Sequence, residues 1–288
     1  MRSFNEPQLG TTFHQGNRFK LPVIGCIKLG QSCPIPQGAI VKQARVVIRS
    51  TCWYIMLKLQ WDVSIPDTIP HGNSLGMDVG LTNFTANSNG LLIKRTRFFA
   101  DAERKLKLLQ QRVTRKIIRL NNWKRAAEEV ALLHEYVANC RKDSHCTVSY
   151  QICDDAGMAF LEHLNLVGLS RAMLGKHCLD AGFGQFFNIL EQTCFKRGVF
   201  VQKVDAQQTS QICPNCLKKT GKKELSERVN SCHHCAYTTD REVAATQVVL
   251  KRGLTAVRHR VKMHRTASKF MGIPAKQESP RLVARECH

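Results

Sequence analysis

The sequence predicts an α/β fold, with a small β domain at its N-terminal end and a metal-binding ribbon set into the α/β part. Three observations carry this. From residue 74 onward, short apolar strand-like segments alternate with helix-length stretches. The first 70 residues are rich in Val, Ile and aromatics between turn clusters and show no helical period. Two Cys-x-x-Cys pairs, Cys213/Cys216 and Cys232/Cys235, are separated by fifteen residues.

Taken in order, 19–29, 40–50 and 52–63 read as strands, with turns at Gly30-Gln31-Ser32 and Pro34-Ile35-Pro36-Gln37-Gly38. They suggest part of a small barrel or wedge, and 65–73 reads as a linker, so 1–73 forms a first unit. Leu75-Gly76-Met77-Asp78-Val79-Gly80 is a short buried strand carrying one acid. Segments 82–86 and 91–99 follow as second and third strands about a turn at Asn87-Ser88-Asn89-Gly90. Residues 101–142 contain neither Gly nor Pro. Apolar side chains recur there at Leu106, Leu109, Val113, Ile117, Leu120, Trp123, Ala127 and Val130, which predicts a long amphipathic helix or a hairpin broken near Asn121-Asn122.

Gly157-Met158-Ala159-Phe160-Leu161-Glu162 is another apolar strand that ends on an acid. A helix over 179–197 stops at Gly198, and 199–204 is a buried strand of the same kind. The expected division is then 74–206 for the α/β unit, 207–238 for the ribbon and 239–252 for a closing helix, with 242–250 on the core. From 253 to 288 a basic, loosely ordered tail is expected, since it holds eight Lys or Arg against two Glu.

At 288 residues, 43% hydrophobic and 23% charged, the chain excludes wholesale disorder. Its net charge of +21 favours a polyanion. No run of eighteen apolar residues exists and the first residues lack an apolar leader, so neither a membrane span nor a secretory signal is expected and nucleic acid is the expected partner. Nine basic residues and no acid lie between Arg104 and Arg125. Arg104, Lys105, Arg112, Arg115, Lys116, Arg119, Lys124 and Arg125 are the candidate phosphate contacts. A merely solvated helix face also carries such runs, but like charges at helical spacing repel and call for a counter-charge. Thirteen cysteines without a leader suit a reducing cytoplasm, and nucleoid association would follow from the charge.

Four thiolates in paired Cys-x-x-Cys spacing suit one tetrahedral Zn²⁺ held by Cys213, Cys216, Cys232 and Cys235. Four protein ligands close the coordination sphere, so this metal is structural. A redox Cys-x-x-Cys is the competing reading, though redox motifs do not normally come in pairs. His233 and His234 are spare, or substitutes in a variant geometry. The second constellation is dispersed: Asp78, Glu162, and the pair Asp240 and Glu242. Carboxylates emerging from apolar strands are costly unless a cation neutralises them, and Mg²⁺ or Mn²⁺ held this way can hydrolyse phosphodiesters. Singly, each is equally an ordinary solvated rim residue.

Several strings resemble one family. Asp78 within Gly76-Met77-Asp78-Val79-Gly80-Leu81-Thr82-Asn83-Phe84-Thr85 resembles the first RuvC motif of the TnpB (OrfB) proteins of insertion sequences, relatives of the type V CRISPR effectors. Glu162-His163-Leu164-Asn165-Leu166 is similar to their second motif, and Thr209-Ser210-Gln211-Ile212-Cys213-Pro214-Asn215-Cys216 to the opening of their zinc ribbon. Arg141-Lys142-Asp143, Leu21-Pro22-Val23-Ile24-Gly25 and Trp53-Tyr54 extend the resemblance over about 18–252. It implies an RNase H-like (RuvC) nuclease domain with an inserted zinc ribbon, preceded by a partial, wedge-like β-barrel. It further implies a guide RNA from the transposon end, a target DNA, and cleavage at a divalent-metal site formed by Asp78, Glu162 and a third acid.

Two departures stand out. The family's third motif reads Asp-Arg-Asp-x-Asn-Ala-Ala; here Asp240-Arg241-Glu242-Val243-Ala244-Ala245 puts Glu242 in the ligand position, with Asp240 two residues early as the alternative. A helical recognition insertion, which the family carries ahead of the Leu21-Pro22 region, has no counterpart in these residues. The leading expectation is an RNA-guided DNA endonuclease. A cleavage-deficient RNA-guided DNA binder or decayed remnant is the first alternative. A plain zinc-ribbon nucleic-acid-binding regulator is the second, and it leaves Asp78 and Glu162 without a role.

Overall fold

The computed structural model describes residues 3–7, 14–15, 18–21, 25–28, 30, 35–50, 52–60, 62, 68–221, 224 and 227–271. The chain divides into two units, one of 1–67, 97–145 and 180–182, the other of 68–96, 146–179 and 183–288. Residues 22–24, 29, 61 and 63–67 of the expected strands and linker lie outside the described residues.

In the first unit, β1 (Ser3–Pro7) and β6 (Cys52–Gln60) flank β5 (Ile40–Arg49) in an antiparallel sheet. β2 (His14–Gln15), β3 (Arg18–Leu21) and β4 (Gly25–Lys28) form a second antiparallel sheet. A register shift between Val41 and Gln43 interrupts the alternation along β5 and brings Val41 onto the same face as Ala44 and Val46; these three form a small core, where Ile27, Ile35, Ile55 and Leu57 pack on them. Sequence reasoning does not find β1, because Asn5-Glu6-Pro7 carries turn chemistry and becomes a strand only by pairing with β5.

The glycine-free stretch folds as two helices, α1 (Phe98–Thr114) and α2 (Asn121–Asp155). The expected third strand over 91–99 is correspondingly cut to β9 (Leu92–Lys94), since Phe98 already opens α1. The break falls at 115–120, where Arg119 takes a left-handed φ of 73°. Nothing in the residue types forbids a helix there; the chain reverses because Leu106 and Leu109 of α1 and Ala126 of α2 are buried. The reversal gives one member of the acid-free run a partner from beyond it, Arg112 meeting Glu129 at 3.7 Å, while within α1 Lys107 meets Glu103 at 3.5 Å. These exposed pairs are weak, and the basic side chains from Arg104 to Arg125 all remain exposed.

The second unit is built on a mixed sheet in the order β11-β10-β7-β8-β9. β7 (Ser74–Val79), β8 (Asn83–Asn87) and β9 run antiparallel in turn, while β10 (Met158–His163) and β11 (Phe200–Asp205) run parallel to β7. One face carries Gly76, Phe160, Phe200 and Val204, and against it lies α6 (Arg241–Met271). The other face carries Leu75, Met77, Ala159 and Leu161 and is covered by α5 (Phe183–Arg197) and the C-terminal turns of α2. Lys203 of β11 reaches Glu191 of α5 at 2.6 Å on that side. Two short helices, α3 (Leu166–Arg171) and α4 (Gly175–Ala181), follow β10, and Gly182 at φ +67° turns the chain into α5. The single helix expected over 179–197 is thus split.

α6 runs well beyond the expected end at 252, and helix continues to Met271 where a loose tail was expected; 272–288 lie outside the described residues. Gly253 invites that misreading. It is a packing residue, not a stop: a Cβ there would lie 2.1 Å from Phe160. Gly76 serves the same helix from the sheet side, since a Cβ at that position would sit 2.1 Å from the carbonyl oxygen of Thr246.

Candidate functional site

Two sites form in the second unit. The ribbon opens with a 3-10 turn at Thr209–Gln211 and contains the hairpin β12 (Val229–Ser231) and β13 (Thr238–Asp240). Each Cys-x-x-Cys folds as a matching knuckle. The N–H of Cys213 donates to Lys218 and its carbonyl accepts from Leu217; the N–H of Cys232 donates to Tyr237 and its carbonyl accepts from Ala236. The four sulfurs converge, all within 4.8 Å of one another, with Cys213–Cys235 at 3.5 Å and Cys216–Cys232 at 3.6 Å. A tetrahedron with Zn–S bonds of about 2.3 Å has edges of about 3.8 Å, so the cluster is compatible with zinc. The backbone N–H of Tyr237 brings the Cys235 thiol down to about 6, favouring the thiolate a metal needs. His233 and His234 stay exposed outside the cluster. Lys251 of α6 donates to the carbonyl oxygens of Pro214 and Asn215, tying the first knuckle to the helix.

Both knuckles need a left-handed residue, and the chain places Leu217 (φ 61°) and Ala236 (φ 54°) there instead of glycine. Ala236→Gly is therefore expected to stabilise the ribbon by up to about 1 kcal/mol, read as a higher midpoint in zinc-saturated urea unfolding.

The acids gather at the C-terminal ends of β7 and β10. Leu161 pairs with Met77, so one step further on Glu162 stands beside Asp78, both on the face that α6 covers. Glu162 is buried, and its Oε1 has no hydrogen-bond partner. Burial first, and then repulsion from Glu162, holds the Asp78 carboxyl well above the usual carboxylate range; Glu242 adds to that push. Burial likewise raises Glu162, against the Thr209 hydroxyl and the Arg252 charge, which favour its ionised form. Arg252 itself is fixed by the carbonyl oxygens of Asp205 (2.6 Å) and Gln207 (2.8 Å).

Opposite them, the start of α6 separates the two candidates for the third acid. Asp240 accepts from the N–H groups of Glu242 (2.8 Å) and Val243 (3.3 Å), which makes its carboxylate the N-cap of the helix. Glu242, in the first turn, is held by the Asn83 amide at 2.7 Å and by Arg228 at 3.5 Å, and Arg228 also reaches the Thr82 hydroxyl at 3.3 Å. A register shift between Asn83 and Thr85 makes this possible: it aims Asn83 at Glu242 and sends Phe84 onto Phe183 and Phe186 of α5. Sequence reasoning assigns no role to Asn83, although it lies within the first motif, or to Arg228, which lies in none. Among the described residues only the four cysteines bring three or more ligand atoms within 4.8 Å of one another, so the acids form an open site. A buried carboxylate oxygen without a donor, beside two further acids, fits a hard divalent cation.

Comparison with known proteins comes out as follows. Residues 57–173 match the OrfB_IS605 family model, described as "Probable transposase", and residues 183–249 match the Cas12f1-like TNB domain. Two curated relatives are both named "Putative RNA-guided DNA endonuclease". InsQ of Escherichia coli (strain K12) is 25% identical over 267 residues, covering 87% of this chain and 66% of the relative. The protein of Streptomyces pristinaespiralis is 26% identical over 259 residues, covering 88% of this chain and 63% of the relative. The chain thus spans just under two thirds of each. A solved CRISPR-Cas12f ternary complex is similar over 73% of this chain and 45% of that one, at 17% identity and a TM-score of 0.46.

Proposed function

We propose that this chain, which resembles the OrfB (TnpB) proteins from residue 57 to 173 and the Cas12f1-like ribbon domain from 183 to 249, acts in RNA-guided cleavage of DNA. The observation that carries the reading is the juxtaposition of Asp78 and Glu162 on neighbouring parallel strands, with Glu242 facing them from α6. The mixed sheet, three antiparallel strands followed by two parallel to the first, supports an RNase H-like (RuvC) architecture over 74–206 and 239–252. The cysteine cluster supports a structural zinc ribbon over 207–238, and the two N-terminal sheets a partial, wedge-like barrel.

In this reading Asp78 and Glu162 hold Mg²⁺ or Mn²⁺, which supplies Lewis acidity and an activated water for phosphodiester hydrolysis. Glu242 is the third ligand, because Asp240 is spent on the helix cap. Asn83 and Arg228 fix the longer glutamate arm, and Arg228 adds positive charge where a phosphate would approach. The exposed basic residues of α1 and α2 bind the backbone of a guide RNA from the transposon end and of its target DNA. Among the described residues no helix is long and apolar enough to cross a membrane, and a nucleoid location follows from the proposed partners.

A second reading, RNA-guided binding without cleavage, is favoured by one feature: Glu242 reaches one methylene further than an aspartate, in a site for an ion that demands near-ideal geometry. Magnesium-dependent cutting of DNA complementary to a supplied guide, abolished by chelator, is the expected result for the full chain. Glu242→Asp alone is the informative comparison. Ala244 is fully buried in α6, so an asparagine there would bury an amide and confound the test. Cutting by neither form, with guide RNA bound, would leave only the binding reading.

A further inference from the structure

We infer that the tip of the α1–α2 hairpin is an apolar wedge that enters a base step of a bound nucleic-acid duplex. The inference rests on the reading of this chain as a nucleic-acid-binding protein and adds a contact to the bases.

The tip breaks three local rules at once. Ile117 is 74% exposed and Ile118 69% exposed, with Leu120 beside them at 54%. Most of their apolar surface stays open to solvent, although full burial of such a side chain is worth roughly 1.5–3 kcal/mol. The turn is closed by the N–H of Leu120 donating to the Ile117 carbonyl at 3.3 Å, and it puts Arg119 at φ 73°. Glycine or asparagine takes that conformation without strain; arginine does not. Third, Arg115, Lys116 and Arg119 flank the two isoleucines in the chain, all exposed, and no acid pairs with any of them among the described residues. Nearby Arg112 is the one drawn to Glu129. Exposed isoleucine, a strained arginine and uncompensated like charge all cost stability in the free protein, which is the pattern expected where a partner recovers the cost.

Charge and shape select that partner. Three cations around an apolar point call for a polyanion that also offers apolar faces, and stacked bases between phosphates do so. A single strand is best met by aromatic platforms, and the tip has none. Aliphatic side chains flanked by basic ones instead act as wedges that part adjacent base pairs of a helix. The turn exposes two consecutive β-branched side chains, which have little rotamer entropy to lose.

The test uses the full-length chain and short duplexes carrying aminopurine at successive steps, whose fluorescence rises when a base is unstacked. The wild type should raise the signal at one or a few steps on binding. Ile117→Ser with Ile118→Ser should abolish that rise while leaving the salt dependence of binding unchanged. Arg115→Gln, Lys116→Gln and Arg119→Gln together should do the reverse, lowering the slope of log affinity against log salt by up to about 2.7, three phosphates at about 0.9 each. All five residues are exposed, and circular dichroism checks that the helices remain. Tight duplex binding with no unstacking, or a rise that survives the serine pair, overturns the wedge and leaves the nucleic-acid reading standing. Failure of the wild type to bind any duplex at low salt overturns both.

Discussion

Asp78→Asn should lower metal-dependent DNA cleavage by about a thousandfold or more, and should make the metal-free protein more stable. The two effects share one cause. Half-buried Asp78 and buried Glu162 are forced together, and Glu162 keeps an oxygen with no donor. Without a cation, the folded state bears that repulsion; on the proposed reading, a cation held by these carboxylates would relieve it and would supply the electrostatic stabilisation of the reaction. Losing one ligand removes several kcal/mol of that stabilisation, and about 4 kcal/mol corresponds to a thousandfold. The sign with pH follows. Both acids are raised above their unfolded values, so the metal-free native state binds protons that the unfolded chain has released. Its stability should therefore grow as pH falls from neutral toward the ordinary carboxylate range, and the Asp78→Asn substitution should flatten that trend. Single-turnover cleavage and thermal unfolding in chelator read the two halves. A variant that cuts at the wild-type rate would remove Asp78 from the site altogether.

Zinc removal should have the second large effect, and a local one. Structural zinc contributes on the order of 10 kcal/mol of folding free energy in small ribbons, which have little core of their own. Here the buried members of the ribbon among the described residues are Thr209, Cys213, Pro214, Asn230 and Cys232, none of them a large apolar side chain. Cys213→Ser, or a strong chelator, should release one zinc per chain and expose 212–237 to proteolysis. The mixed sheet should survive, because Phe160, Phe200, Val204 and Val249 pack without the ribbon. The loss should still reach the acids. Arg228 leads into β12, and the N–H of Arg241 donates to its carbonyl at 2.7 Å, so a melted ribbon withdraws the guanidinium from Glu242. Limited proteolysis with metal analysis checks this. An intact ribbon in metal-free protein would mean that the four thiols form a self-sufficient core.

The cysteine site was legible in the sequence to the residue, because its chemistry depends on spacing and each pair is a self-contained knuckle. The strands carrying Asp78 and Glu162 were legible too, since buried parallel strands are short continuous apolar runs. The choice between Asp240 and Glu242 was open from the sequence. Two acids two residues apart at a helix start are equivalent until the helix boundary is known; Asp240 caps α6 with its own carboxylate, which leaves Glu242 in the first turn, held by Asn83 of β8. The roles of Asn83 and Arg228 were not legible, as they reach Glu242 only through a register shift in β8 and the closure of the ribbon.

By itself, then, the sequence determined what local rules govern: the basic field, the four thiolates, the apolar strands and the acids that end them. The tertiary structure alone decided where the long helical stretch reverses, that helix continues past Gly253, and that Asn83 and Arg228 hold Glu242. Those outcomes rest on contacts between segments far apart in the chain, such as Gly253 with Phe160 and Asn83 with Glu242. Periodicity and spacing are properties of neighbours along the chain and carry no information about such pairs.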